Sequence, residues 1–185
     1  MPVNRRTALG LLGLGVVSSR VEAAHQHLLA LQKSPKTYRL QFFTSDENAL
    51  VDRVAELILP ADEHSPGAHE AKVSYYIDLV AANSSEAAKA AWKSRLAAFD
   101  KLALAKQGKP FLQLGAGEQA AVLNAVSTKE KNPGAPAEHF FAEMKKATLF
   151  GYYTSEIGLL KELGYKGNQA LAGFPGCAHP PGTHR

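Results

Sequence analysis

Prolines and glycines cut this chain into pieces of helical length, and none of the pieces alternates like a strand. Pro60, Pro66, Pro110, Pro133 and Pro136 each stand at the edge of an apolar-periodic block. Proline removes a backbone donor and clashes with the preceding turn, so each marks a place where a helix must stop or start. Between them the apolar residues recur every three to four positions, the period of an amphipathic helix. The pattern predicts an all-α fold, a compact bundle of five or six helices with an irregular glycine- and proline-rich C-terminal tail.

The first helix has the clearest start. Thr44-Ser45-Asp46-Glu47 is a capping box with Phe43 before it as a staple, and Ala49, Leu50, Val54, Leu57 and Ile58 form its stripe up to Pro60. A loop with Pro66 and Gly67 leads to a second helix over about 69–82, with Val73, Tyr76, Ile77 and Val80 on one face. Ser85 caps a third over about 86–106, with Ala91, Trp92, Leu96, Phe99 and Leu102 inward. A fourth covers about 117–129, with Val122, Leu123 and Val126 apolar. A fifth runs over about 137–150, with Phe140, Phe141, Met144, Ala147 and Leu149, and residues 155–163 form one more short helix. The domain plan is a leader at 1–23, a polar spacer at 24–43, a helical domain at 44–163 and an irregular tail at 164–185 that contacts a partner.

The leader has three parts: a positive start with Arg5 and Arg6, an apolar run over about 8–19, and small residues near 23 for cleavage. That run is shorter than the ~20 residues a membrane span needs. A paired arginine before it is the address of the twin-arginine route, which carries proteins already folded, usually around a cofactor. The expected location is therefore the periplasm. Without Arg5, Arg6, Arg20 and Glu22 the formal charge of +4 becomes +2, and no basic stripe with interleaved aromatics follows. Nucleic acid is not an expected partner.

No cofactor site is visible to justify that route. No glycine-rich dinucleotide fingerprint follows a strand and no phosphate-binding loop occurs, while Gly10, Gly13 and Gly15 lie in the leader. Asp62, Glu63, His64 and His69 gather near one loop, with His179 and His184 in the tail, but none has metal-ligand spacing. Solvated loop residues are the simpler reading, with Asp62 capping a turn. Glu70 and Asp78 on the next helix form no marked acid–base pair. The expectation is no catalytic, cofactor-binding or metal residue in this chain. A free-standing helical binding protein, or a metal-dependent enzyme using Asp62, His64 and His69, are the alternatives.

Two features read as contact surfaces. The segment Phe150-Gly151-Tyr152-Tyr153 puts aromatics around a glycine, either as a core helix bending tightly at Gly151 or as partner anchors. Tyr165 and Phe174 extend that interface into the tail. The lone cysteine, Cys177, cannot form an internal disulfide and is a candidate for an intermolecular one.

Taken in order, the leader, Phe42-Phe43-Thr44, the stretch 58–71 with its Leu-Pro-Ala-Asp and Ser-Pro-Gly-Ala, Tyr76-Ile77-Asp78, Gly151 to Ser155, and Tyr165 to Cys177 form a recognisable set. The chain resembles the gluconate 2-dehydrogenase subunit 3 family, the small or gamma subunit of bacterial sugar dehydrogenases. The resemblance implies an α-helical accessory subunit with no catalytic residues of its own. Its partner would be a large flavoprotein of the glucose–methanol–choline class holding FAD. A multihaem cytochrome c subunit, with its haem c, often completes such a complex and anchors it to the membrane. The small subunit would supply the signal read by the twin-arginine translocase and support maturation of the large one. A chain without a cofactor would then need a folded-protein route because its passenger has one.

Overall fold

The computed structural model describes residues 38–167. The chain divides into two compact units, 1–39 and 40–185, and nearly all described residues belong to the second. The leader with Arg5 and Arg6, Phe174 and Cys177 lie outside the described residues. The described residues form five α-helices in order: α1 (Ser45–Ile58), α2 (Val73–Ala82), α3 (Glu86–Gln107), α4 (Ala116–Ser127) and α5 (Pro136–Tyr153). A 3-10 turn, Phe111–Gln113, precedes α4, and a π-turn, Gly158–Glu162, follows α5. There is no strand among the described residues.

Helix starts follow local chemistry. The Thr44 hydroxyl accepts the Glu47 N–H at 3.2 Å while the Glu47 carboxylate accepts the Thr44 N–H at 2.8 Å, so both halves of the α1 capping box form. Ser85 caps α3 by accepting the Ala88 N–H, and Gly108 ends it at φ 75°. Gly115 and Ala135 have no capping oxygen. Instead Glu118 accepts the Gly115 N–H, and Glu138 accepts those of Gly134 and Ala135. Helix α2 starts differently: Lys72 stands before it in the left-handed region, at φ 56°, with no side-chain cap. Residues 69–72 are turns, so α2 begins later than the periodicity predicts.

Helix α5 packs against α1, α2, α3 and α4 and forms the axis of the bundle. Its Phe140 and Met144 are fully buried, with Phe140 against Trp92 and Phe99 of α3. Phe111 packs on Phe99 at 4.9 Å between ring centroids, so the connector before α4 belongs to the core. Phe43 is also buried, edge-on to Trp92, which makes the end of the expected spacer part of the body. The inward stripes differ in detail from those predicted. Val51 and Ala55 are buried in α1 where Ala49 is exposed, and Leu149 of α5 is exposed where Thr148 is buried. Helix α5 does not bend at Gly151 but runs on to Tyr153. No described helix is long and apolar enough to cross a membrane.

Candidate partner-docking site

The loop joining α1 to α2 is fastened by carboxylates. Asp62 accepts the N–H groups of His64 and Ser65, both at 2.8 Å, closing the turn that its spacing predicts. Those two bonds hold its pKa below the ordinary value. Glu56, on α1, accepts Ala61 N–H at 3.2 Å with one oxygen and His69 N–H at 2.8 Å with the other. Gly67 lies against this clamp: a Cβ there would sit 2.4 Å from both Glu56 oxygens and 2.6 Å from Ala61 N. Only glycine lets the loop pass so close.

The histidines of this region do not converge. His69 Nδ1 meets Asp52 Oδ2 at 2.5 Å, and the Ser74 hydroxyl donates to the other Asp52 oxygen at 3.0 Å. His64 faces solvent beside Glu63. Among the described residues no group of three or more His, Cys, Asp or Glu could hold a metal ion.

Gly151 and Tyr152, expected at a partner interface, are buried in the monomer. The Tyr152 hydroxyl donates to Pro66 O at 2.7 Å and therefore accepts from the Ser65 hydroxyl, tying α5 to the loop. A Cβ on Gly151 would lie 2.7 Å from the Tyr76 ring, so this glycine provides close approach between α2 and α5. Tyr153 is half-buried against Tyr152. Among the described interface candidates, Phe150 and Tyr165 reach the surface, at 59% and 45% exposure.

Phe150 belongs to a larger apolar face. Its ring stacks on Tyr76 of α2, 6.0 Å between centroids, and Val80 lies exposed nearby. Tyr76, Val80, Trp92, Ala147 and Phe150 line an open groove of about 340 Å³ together with Glu143 and Lys146. Helix α2, VSYYIDLVAA, carries one charged side chain, Asp78, and that one is buried. Here sequence periodicity misleads. The inward stripe is Val73, Ser74, Ile77, Asp78 and Ala81, while Leu79 and Val80 face outward. A helix apolar all round is normally covered on both sides. Asp78 gave a signal in the sequence, as the sole charge in an apolar helix, but periodicity counts it as polar and turns it outward. A second groove, about 650 Å³, opens between α1 and α3, with Leu50, Leu96, Leu104 and Leu112 beside Asp46 and Asp100.

The described body is small and helical, its polar groups fasten its own loops, and among the described residues the outer face of α2 carries exposed Leu79 and Val80. The gluconate 2-dehydrogenase subunit 3 family model matches residues 45–176, and the chain belongs to that family. Neither a curated protein nor a solved structure matches it.

Proposed function

We infer that this chain is the non-catalytic accessory subunit of a periplasmic dehydrogenase complex. Its large subunit is a flavoprotein of the glucose–methanol–choline class that holds FAD and oxidises a sugar or alcohol. Arg5 and Arg6 carry the export address for both chains, and the small subunit supports maturation of the large one before they cross together. A membrane-anchored cytochrome c subunit with haem c is the third component. Cys177 is the candidate for a disulfide to the large subunit. Membership of a family named for a dehydrogenase subunit supports this reading. The observation that carries it is the outer face of α2 with Phe150, which is apolar and to which α2 contributes no charged side chain. Faces of this kind rich in Tyr and Phe make the buried centres of protein interfaces.

The test is to recover the chain from its own periplasm and record the absorbance of what comes with it. A co-eluting large chain with a flavin spectrum is the expected result. A colourless chain alone would refute the reading. Changing Arg5 and Arg6 together to lysine should keep both chains in the cytoplasm, and arrival of the large chain outside would refute the carrier role.

A further inference from the structure

The buried Asp78 reaches from the inner face of α2 to the start of the helical body. Its carboxylate accepts three consecutive backbone N–H groups: Gln41 at 2.8 Å, Phe42 at 3.0 Å and Phe43 at 2.7 Å. Successive N–H groups aimed at one anion form a nest of partial positive charge, and bonds to an ionised acceptor are about twice as strong as neutral ones. The same arm is held from another side by Lys93, whose ammonium donates to Phe42 O at 3.2 Å and sits 4.6 Å from the Phe42 ring centre. Phe43 then packs edge-on against Trp92, and Trp92 also lines the docking groove.

Helix α2 therefore has an arm on one face and the docking surface on the other. At ten residues it is too short to be stable alone, and its start has no side-chain cap. Its order depends on what lies against it, which among the described residues is α1, α3 and α5. We propose that α2 couples its two faces, so that a large subunit docking on Tyr76, Val80 and Phe150 tightens residues 41–43 through Asp78. This rests on the reading of that face as the docking site. By linkage, an arm held by Asp78 raises partner affinity by the same factor. Asp78 is buried on the inner face of α2 and acts as a positioning residue.

Hydrogen exchange on the full chain, free and bound to its large subunit, tests the coupling. Binding should slow exchange at amides 41–43 about tenfold, the size expected when hydrogen bonds to a charge are secured. In the free chain, Asp78→Asn should speed exchange at those amides about tenfold while residues 140–148 of α5 stay protected. It should also weaken partner affinity several-fold. Oxidative labelling of Tyr76 and Phe150 on the same samples reads the docking face separately. Labelling suppressed by the partner with exchange at 41–43 unchanged overturns the coupling and leaves the docking reading intact. Labelling unchanged in a formed complex overturns both. The comparison of free and bound wild-type chain needs no variant, so it decides the matter even where Asp78→Asn does not fold.

Discussion

Two residues hold local energy that substitution can release. Lys72 sits at φ 56°, where a side chain with a Cβ is disfavoured by about 1–2 kcal/mol. Glycine removes that strain but loses more freedom on folding, by about 0.5–1 kcal/mol. Lys72→Gly should therefore stabilise the chain by about 0.5–1 kcal/mol, read from the urea midpoint, and a lowered midpoint would show that the lysine side chain contributes a contact of its own. Thr148 is fully buried in α5 and its hydroxyl has no partner among the described residues. Valine has the same shape without the unsatisfied group. Thr148→Val should be neutral or stabilising by about 1 kcal/mol, because a buried polar group without a bond carries its full desolvation penalty. A clear loss of stability would mean that the hydroxyl is solvated.

At the scale of elements, carboxylates fasten the starts of α1, α4 and α5. Burial raises the Glu47 carboxyl, but hydrogen bonds from Lys93 and Thr44 outweigh this and its pKa ends below 4.5. The N–H groups of Ala135 and Gly134 lower Glu138 in the same direction. A carboxyl lowered in the folded state stabilises above its unfolded value and loses that stabilisation as pH falls through the folded one. Stability should thus be level above about pH 4.5 and decline below it. Glu138→Gln should destabilise at neutral pH and converge on the parent in strong acid, checked by thermal melts across pH. The capping box at Thr44 was legible in the sequence because cap chemistry is local, as was the cap at Ser85. What escaped was tertiary. The 3.6-residue period cannot tell that α2 buries an aspartate and exposes Val80, because the reason is three N–H groups more than thirty positions away. Likewise Gly151 looked like a bend in the chain, whereas the helix continues and the glycine makes room for Tyr76. The clustering of Asp62, His64 and His69 in sequence carried no common geometry, since Asp62 bonds the backbone and His69 turns to Asp52.

At the scale of the molecule, the aromatic cluster near the end of α5 divides into one residue that folds the chain and another that reaches outward. Tyr152 is 2% exposed and bridges α5 to the loop through Ser65 and Pro66, while Phe150 is 59% exposed. Tyr152→Phe keeps the ring but removes the hydroxyl that bonds Pro66 O and the buried Ser65 hydroxyl, so it should lower stability by about 1–3 kcal/mol. Partner affinity, measured on the fraction still folded, should change little. Val80→Asp with Phe150→Asp should do the opposite. Both side chains already meet water, so the monomer should melt within a few degrees of the parent. Two charges set into an apolar interface lose their hydration without gaining a partner, which should weaken binding of the large subunit by about 2 kcal/mol or more, roughly thirtyfold. Melting curves and titration with the large subunit, on both variants, separate the two roles. If the double aspartate variant binds as tightly as the parent, the outer face of α2 is not where the subunits meet, and the groove between α1 and α3 becomes the next surface to change.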